Sequence, residues 1–321
     1  MNPGTVPAPV GGIDVLVVSW KSRAMTAQCL EHLQRQTVPH HVIVVDNDSR
    51  DGTAEEIRDR WPEVTVIVSD ENLGFGRANN LAAQAGTGEA LVLVNSDLFV
   101  EPDFLEQIVA PLAADPQVGQ VAGLTLMPGD GPETIDSAGV ILDRMLCGMN
   151  HLRHEPAAAA FGGASPPSVP SGAAVAYRRA AFEQAGGFDP HLFAYGEDVD
   201  LGLRIAGAGW SCAFAPRARG VHLGGASMRK VSDFQRELGG TSRGFMLRRY
   251  DVGAAALVQA ALTELLVVAV DFAQHRSLHA LRGRIKGWRL ARSIGQRLPV
   301  PPGVPDRSIG PVKSLQLRRA Q

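Results

Sequence analysis

The sequence predicts an α/β fold in which helices flank a mainly parallel, mixed β-sheet, followed by a C-terminal helical extension. Three observations predict it. Short Val-rich runs alternate with segments of helical periodicity over residues 13–113. Acidic and amide side chains follow these runs, as in sheets that bind ligands beyond the carboxyl ends of their strands. A long apolar stretch and a basic tail follow near the C-terminus.

Each element of the alternation has its own signal. Continuous apolar runs such as IDVLVVS and HVIVV predict buried parallel strands at 13–19, 41–46, 64–69 and 90–94. Helical spacing between and after them predicts helices at 24–36, 53–61, 78–85 and 102–113. Gly and Pro clusters make the region 120–170 rich in loops. A helix over RRAAFEQAG, the acidic segment EDVD and a return strand at 211–215 follow.

Composition narrows the class of protein. The 321 residues carry a formal net charge of -2, which argues against a nucleic-acid-binding protein. The three cysteines, Cys29, Cys147 and Cys212, form no CxxC pair, so we expect reduced thiols in the cytoplasm. Residues 1–12 lack the charged start and apolar core of a signal peptide, and we expect a disordered lead-in there.

Residues 252–272 have a different character from the preceding sequence. They are apolar over about the length that spans a bilayer, but Gln259, Thr263 and Glu264 interrupt the stretch. A charged side chain at mid-bilayer costs roughly 2–3 kcal/mol or more. Three interpretations stay open: a helix packed on the rest of the protein, an in-plane helix that contacts a membrane, and a membrane span.

Positive charge is concentrated after this stretch. From residue 274 onward the sequence has eleven Lys or Arg and a single acid, Asp306. Basic residues beside an apolar helix are typical of proteins that contact anionic lipid headgroups. We therefore predict one domain over 13–245, a helical extension over 246–298 that can contact a membrane peripherally, and a flexible basic tail over 299–321.

Polar side chains follow the second and fourth predicted strands. Asp46 stands directly after one strand, and Asn95, Ser96 and Asp97 follow the other. A carboxylate at Asp46 suits the hydrogen bonds of a nucleobase or ribose. Asp97 suits Mg²⁺ or Mn²⁺, which prefer oxygen ligands and commonly share them with phosphates. The alternative for each acid is a turn or a helix cap.

A Gly-flanked turn in the segment ENLGFGRANN opens the third helix with Arg77, Asn79 and Asn80. Backbone N–H groups at a helix start, together with a guanidinium, suit a phosphate. Glycines that serve only the turn are the alternative.

The segment from Glu197 to Asp200 holds three carboxylates beside a helical apolar pattern. Asp200 stands four residues before Arg204 and fits an ordinary helix ion pair, whereas Glu197 and Asp198 are expected to precede the helix and face a cleft. Carboxylates in a partly dry place commonly hold a proton or a metal. We predict Asp198 as a general base, with Glu197 as the second candidate. Complementation of the helix dipole is the alternative.

His222 ends a strand-like segment, RGVH, some two dozen residues after these acids. An imidazole can complete a Mn²⁺ site in the company of Asp97 and a diphosphate. A structural role is the alternative for a single histidine.

The chain carries six segments in order: VVSW…CLEHLQRQ, VIVVDNDSRDGT, NLGFGRANN, ALVLVNSDLFVEPDFLEQIV, SGAAVAYRRAAFEQAGGFDPHLFAYGEDVDLGLRIAGAGW and the region of His222. In this order, over most of residues 13–228, they resemble family 2 of the inverting glycosyltransferases, which have the GT-A fold. Their spacing and the NLGFGRANN segment look most like the rhamnosyltransferase branch, which builds bacterial cell-surface polysaccharide.

The resemblance implies a donor site. Asp46 would bind the nucleotide base, with the Ser19 loop beside the nucleoside, and Arg77 and Asn80 would lie by the ribose and diphosphate. The residues predicted to bind the nucleotide sugar are Ser19, Asp46, Asn47, Asn72, Arg77, Asn80, Asn95 and Ser96.

The resemblance also implies a metal and a base. Asn95 and Asp97 occupy the DXD motif of the family, with Asn95 in place of the first acid. Asp97, helped by His222, would therefore hold Mn²⁺ or Mg²⁺. Asp198 matches the catalytic base.

The predicted function is metal-dependent, inverting transfer of a sugar to a glycan or polyprenyl-linked glycan, in the cytoplasm or at the inner face of the plasma membrane. L-Rhamnose from dTDP-rhamnose is the best candidate donor, and UDP-hexoses or UDP-galactofuranose follow.

The first alternative function is that of a nucleotidyltransferase. Such an enzyme needs a Gly-rich phosphate loop after the first strand, and the segment SWKSRAMT lacks glycine. A non-catalytic protein that binds nucleotide sugars is the remaining alternative.

Overall fold

The computed structural model of the protein describes residues 11–163, 165–224 and 232–319, so the predicted lead-in lies almost entirely outside the described residues. The strands are β1 (Ile13–Ser19), β2 (His41–Asn47), β3 (Thr65–Ser69), β4 (Ala90–Val94), β5 (Leu98–Val100), β6 (Val118–Leu126), β7 (Ile135–Ser137), β8 (Val140–Leu142), β9 (Gly148–Asn150), β10 (Ala174–Arg178), β11 (Ser211–His222), β12 (Tyr250–Asp251) and β13 (Leu298–Pro299). The helices are α1 (Arg23–Leu33), α2 (Thr53–Arg60), α3 (Gly74–Ala85), α4 (Phe104–Ala114), α5 (Arg179–Gln184), α6 (Glu197–Gly207), α7 (Asp233–Arg249), α8 (Ala254–His275), α9 (His279–Ile294) and α10 (Pro311–Arg319).

The main sheet has the strand order β3-β2-β1-β4-β10-β6-β11-β5, and β7 pairs with β6. The pairs β1–β2, β1–β4, β2–β3 and β6–β11 are parallel. β10 runs antiparallel to both β4 and β6, between which it lies. The predicted mixed, mainly parallel sheet with flanking helices is confirmed. The return strand, β11, extends beyond the predicted segment and ends at His222.

The sheet is covered on both faces, which explains why its strands read as continuous apolar runs. Along β1, Val15 and Val17 pack into one apolar cluster and Leu16 into another, because alternate side chains of a strand point to opposite faces. Leu30 of α1 and Phe104 of α4 belong to the first cluster. Residues of α3, α5 and α6 belong to the second. The sandwich fixes the carboxyl ends of the strands, where the site lies.

The C-terminal helices begin before the boundary predicted at residue 245, since α7 runs from Asp233 to Arg249. α7 and α9 pack at backbone distance. A Cβ atom on Gly244 would overlap the backbone of Arg284, and one on Gly287 would overlap that of Thr241. Only glycine permits this close approach, so the two helices form a tightly packed pair.

α8 packs on the protein along one narrow stripe. Ala260, Thr263 and Glu264 are its buried residues. Among the described residues it is the one helix long and apolar enough to cross a membrane, and only 17% of its most apolar window is buried. The interpretation of a fully packed helix therefore holds for one face of α8 only.

The flexible tail predicted over 299–321 differs from the structure. α10 covers Pro311–Arg319, and Ser314 is fully buried, where its hydroxyl donates to Asp143 Oδ2 at 2.7 Å. Arg318 Nη1 donates to Glu264 Oε1 at 2.9 Å. Because the acidic partners lie far back in the chain, the basic composition of this segment could not indicate that it folds as a packed helix.

Candidate active site

The carboxyl ends of β1, β2 and β4 meet at one edge of the sheet, as the sequence predicts. Ser19 lies opposite Asp46 in the parallel register of β1 and β2. The hydroxyl of Ser96, two residues after β4, lies 3.2 Å from the hydroxyl of Ser22 in the loop after β1. The loops that the sequence assigns to a nucleotide sugar are therefore neighbours.

Ser19 and Asp46 shape these loops. Ser19 is fully buried, and its hydroxyl lies 2.8 Å from that of Thr26 and 3.1 Å from that of Ser22. Asp46 Oδ1 accepts a hydrogen bond from the backbone N–H of Ser49 at 3.0 Å. Ser19 thus lies inside the protein and positions the loop after β1.

Asn47 and Asn72 form a network at the start of α3. Asn47 Nδ2 donates to Asn72 Oδ1 at 3.0 Å, and Asn47 Oδ1 accepts the backbone N–H of Leu73 at 2.8 Å. Asn72 Oδ1 also accepts the N–H of Gly74 at 2.9 Å. Both amides fix the turn that brings the first residues of α3 toward the site.

The structure does not bring Arg77 or Asn80 to the cavity that Asp198 and His222 line. Arg77 is exposed and pairs with Glu71 at 3.0 Å, whereas Asn80 exchanges hydrogen bonds with the backbone of Phe188. Phe75 lines the cavity. A residue two positions later on a helix points about 200° away, so Arg77 faces outward.

Backbone strain is concentrated around the site. Lys21 after β1 has φ of 51°, Asp48 after β2 has 63°, and Tyr195 before α6 has 69°. Non-glycine residues in this left-handed region are uncommon and cluster at binding and catalytic sites. Gly196 follows Tyr195 at φ of 79°, and a Cβ atom there would overlap the Ser242 hydroxyl, so only glycine fits.

A cavity of about 580 Å³ brings the predicted site residues together. Asn95, Glu197, Asp198 and His222 all line it, although more than a hundred positions separate the first from the last. Residues of α7 and of the segment 146–150 contribute to its wall. Asp97 is not among the lining residues and adjoins them through His222 Nε2 at 3.3 Å. The lining also leaves out other residues that the sequence predicts to bind the nucleotide sugar: Ser19, Asp46, Asn47, Asn72 and Ser96.

The acid pair lies in the first turn of α6, not ahead of it as predicted. Asp198 Oδ2 accepts the backbone N–H of Gly172 at 3.0 Å, and Oδ1 accepts that of Val199 at 2.8 Å. Burial raises the pKa of Asp198. Burial, together with the charge of Asp198, raises the pKa of Glu197 to about 8. At neutral pH the pair therefore retains a proton.

Asp200 is structural, as the sequence indicates. It is fully buried and accepts hydrogen bonds from Arg204 Nε at 2.8 Å and from the Tyr250 hydroxyl at 2.9 Å. The contact with Tyr250 ties α6 to β12, directly after α7.

His222 links two carboxylates. Its Nε2 lies 3.3 Å from Asp97 Oδ1, its Nδ1 lies 2.8 Å from Asp136 Oδ2, and the Asn95 amide nitrogen lies 3.4 Å from Nε2. Burial alone would lower the pKa of His222, but the hydrogen bonds to Asp136 and Asp97 outweigh it and raise the pKa to about 9. Without a cation, the imidazolium form neutralises the acids.

Asp136 is a residue that the sequence did not indicate. It lies on the short strand β7, where Arg153 Nη1 donates to Oδ1 at 2.6 Å and the Thr125 hydroxyl donates to Oδ2 at 3.1 Å. Burial opposes ionisation of Asp136, but His222 and Arg153 outweigh it and lower the pKa. The only sequence signal is one acid within the apolar run TIDSAGVIL.

The Asp97–His222 pair fits a divalent cation. A carboxylate oxygen and an imidazole nitrogen lie close together at the cavity, and Asp136 holds the second ring nitrogen in the manner typical of metal-binding histidines. Within the described residues, no group of three or more His, Cys, Asp or Glu side chains forms a complete metal cage. Such a pair needs further ligands, which substrate phosphates commonly supply.

Comparison with known proteins identifies the family. A family model described as "Glycosyltransferase like family 2" matches residues 9–244. The chain belongs to the family 2 glycosyltransferases. This glycosyltransferase is 31% identical over 212 residues to the N-acetylglucosaminyl-diphospho-decaprenol L-rhamnosyltransferase of Mycobacterium tuberculosis. The match covers 57% of this chain and 66% of that relative, slightly less than two thirds of its length.

A second relative is an O-antigen biosynthesis protein of Myxococcus xanthus, 32% identical over 228 residues. That match covers 67% of the glycosyltransferase and 17% of the larger protein. Among solved structures, the mannosyltransferase of Pyrobaculum calidifontis in complex with GDP-Man and Mn²⁺ superposes with a TM-score of 0.52 at 18% identity, over 90% of this chain and 89% of that one. This likeness shows the GT-A fold.

Proposed function

We propose that this glycosyltransferase catalyses an inverting transfer of L-rhamnose from dTDP-rhamnose to a lipid-linked glycan in the synthesis of cell-surface polysaccharide. One observation carries the proposal: Asp198 and His222 line the same cavity, and the carboxylate of Asp97 lies 3.3 Å from His222 Nε2. A base for the acceptor and a holder for the leaving diphosphate are both needed for a single displacement.

Asp198 acts as the general base. Two backbone N–H groups hold its oxygens, so the carboxylate keeps one orientation toward the cavity. Burial raises its pKa and moves its basicity toward neutral pH. The acceptor hydroxyl loses its proton to Asp198, its oxygen bonds to the anomeric carbon, and the bond to the nucleoside diphosphate breaks on the opposite face.

Asp97 and His222 would hold Mn²⁺ or Mg²⁺ beside the donor diphosphate. The cation, when bound, supplies positive charge to the leaving group. Asp136 fixes the ring of His222 through Nδ1, so that Nε2 faces Asp97 and the cavity. Asn95 and Ser96 bridge the metal side and the loop after β1, since Ser96 contacts Ser22 and Asn95 lines the cavity.

The nucleoside binds at the ends of β1 and β2. Asp46 sits at the centre of this edge, and the loop held by Ser19 and the turn held by Asn47 and Asn72 flank it. A carboxylate at this position accepts an N–H of a pyrimidine base, which is consistent with either a thymidine or a uridine diphosphate.

A polyprenyl-linked acceptor is supported by the rhamnosyltransferase relative, whose name states a diphospho-decaprenol substrate. The acceptor lies in the cavity between Asp198 and α7, and the protein works in the cytoplasm at the inner face of the membrane that holds such lipids.

A screen of nucleotide sugars tests the proposal. We expect dTDP-rhamnose with Mn²⁺ to raise the melting temperature and to be hydrolysed faster than UDP-glucose, UDP-galactofuranose or GDP-mannose. NMR of the product on a synthetic prenyl-diphosphate acceptor should show inversion at the anomeric carbon. A preference for a UDP-sugar would refute the donor assignment, and retained configuration would refute the displacement.

A further inference from the structure

α8 presents an apolar face that nothing in the described part of the chain covers. Val258, Leu262, Leu265 and Leu266 are 62%, 66%, 63% and 51% exposed. They recur at the spacing of one helix face, and Phe272 continues it toward the end of the helix. At about 1.5 Å per residue, the 22 residues of α8 make a strip roughly 33 Å long. Soluble surfaces rarely leave so long an apolar strip open to water.

The opposite face of α8 is tied down by charge. Glu264 Oε1 accepts from Arg243 Nε at 2.7 Å and from Arg318 Nη1 at 2.9 Å, while Oε2 accepts from Arg284 Nη2 at 2.6 Å. Nearer the end of the helix, Asp271 accepts from Arg236 Nε at 3.1 Å. Because α8 is held at two points along its length, it lies flat on the protein, which favours an in-plane helix over a membrane span.

The neighbouring helix α9 adds positive charge. Its sequence contains no acid. The side chains of Arg282, Lys286 and Arg289 lie on its outer face with Ile285 and Trp288, which are 45% and 37% exposed. A helix with basic and apolar side chains on the same outer face is suited to the interface between anionic headgroups and acyl chains.

We propose that the outer faces of α8 and α9 dock the protein in-plane on an anionic membrane surface, with Leu262 and Leu265 in the acyl boundary and Arg282 and Arg289 at the headgroups. Charge complementarity decides for a lipid surface over a second copy of the chain. From residue 274 onward the sequence offers a second copy one acid against eleven bases, so self-association through this region would gather like charges.

The docking surface is linked to the cavity through one side chain. Arg243 lines the cavity and donates to Glu264 of α8. A membrane against α8 would therefore lie close to the wall on the acceptor side. This inference rests on the proposed function only for the biological purpose of docking, since lipid binding itself requires neither donor nor acceptor.

Sedimentation with vesicles tests the surface directly. The full chain should pellet with vesicles of phosphatidylcholine and phosphatidylglycerol, and weakly with phosphatidylcholine alone. Leu262→Ser/Leu265→Ser should lower the vesicle affinity at least about tenfold. Arg282→Gln/Arg289→Gln should lower it roughly fivefold per charge, with a weaker salt dependence.

Matched controls separate the surface from general stickiness. Val68→Ser/Phe161→Ser removes two apolar side chains that are 50% and 51% exposed elsewhere, and Arg35→Gln/Arg58→Gln removes two exposed charges. Both should bind vesicles as the parent does.

Vesicle binding by Leu262→Ser/Leu265→Ser equal to that of the parent would overturn the proposal. So would a dimer that Leu262→Ser/Leu265→Ser converts to a monomer without vesicle binding, or retention in membranes after an alkaline wash. Donor hydrolysis in solution should stay unchanged in every variant, and this separates failure of docking from failure of the proposed reaction.

Discussion

Two buried glutamates have pKa values shifted in opposite directions. Glu197 in the cavity and Glu264 among the C-terminal helices are 7% and 6% exposed. The pKa of Glu197 is raised to about 8, because burial and the charge of Asp198 both oppose ionisation. Burial also opposes ionisation of Glu264, but three arginines outweigh it and lower the pKa to about 2. Because the two side chains are about equally buried, the difference between their pKa values comes from the sign of the neighbouring charges.

The two regions serve different ends. Glu197 Oε2 is buried without a hydrogen-bond partner among the described residues, an arrangement that is unfavourable for stability and that favours the protonated form of this carboxyl group. Glu264 joins α7, α8, α9 and α10 in one ion cluster. The cavity is therefore strained locally, and the helical region beside it is cross-linked by charge.

The largest expected effect tests the cavity. Asp198→Asn keeps the shape of the side chain but cannot take a proton, so we expect turnover to fall about 10²–10⁴-fold. Nucleotide affinity should stay close to that of the parent, because the base faces the acceptor. Transfer kinetics and calorimetric titration measure the two quantities. Glu183→Gln, at a 63% exposed side chain, is the control; normal turnover by Asp198→Asn would dismiss the assignment of the base.

The next effect tests the ion cluster. Glu264→Gln leaves Arg243, Arg284 and Arg318 without their carboxylate, and removal of one partner from a buried ion pair costs about 3–5 kcal/mol. We expect a loss of that size in the free energy of unfolding, measured by urea denaturation. Glu133→Gln breaks the ion pair between Arg219 and the exposed Glu133, and it should lower the free energy of unfolding by only about 0–1 kcal/mol. An equal loss of unfolding free energy in both variants would mean that the Glu264 ion cluster contributes no more to stability than an exposed ion pair.

Glu197→Gln tests the raised pKa through the pH dependence of stability. The stabilisation that the parent gains from its protonated Glu197 is present below pH 4.5 and is lost as the pH rises to about 8. The variant lacks this titration. Between pH 5 and pH 8 its stability should therefore rise relative to the parent, by an amount on the order of a few kcal/mol. Parallel stability curves for the two proteins would contradict the shift.

The smallest effect concerns metal affinity. Asp136→Asn loosens the His222 ring without touching the cavity, and loss of such a carboxylate typically weakens metal binding about 10–100-fold. Titration of Mn²⁺ into the protein in the presence of the nucleoside diphosphate should show this weaker metal affinity. Without Mn²⁺, NMR should show a lower pKa for His222. Glu155→Gln is a surface control, and an unchanged Mn²⁺ affinity would remove Asp136 from the site.

The sequence predicted those strands and site segments that are marked by a local pattern of residues. Val-rich runs predicted the parallel strands, because both faces of the sheet are covered: Val15 is buried on one face and Ile43 on the other. The acids of α6 and the residues after β4 could be assigned because a motif marks them. β10 was not recognised as a strand, since its antiparallel insertion depends on pairing with distant strands.

Contacts distant in sequence could not be predicted. Asp136 reaches His222 across 86 positions, and no pattern marks either as the partner of the other. From the sequence alone, a charged Glu264 inside an apolar helix appears energetically unfavourable. Its three arginine partners are distant in sequence and reach it only in the folded protein. Arg77 was expected beside a diphosphate because it follows a Gly-flanked turn at a helix start and because of the family resemblance. In the structure it faces outward and pairs with Glu71.

The reversed direction of β10 brings two distant parts of the chain to one edge of the sheet. The chain enters β10 at the same sheet edge where it leaves β4, and the backbone N–H of Asn95 donates to the carbonyl of Ala173 there at 3.2 Å. One residue earlier, the N–H of Gly172 donates to Asp198 Oδ2 at 3.0 Å. A shift of the segment that leads into β10 would therefore be transmitted directly to the Asp198 carboxylate.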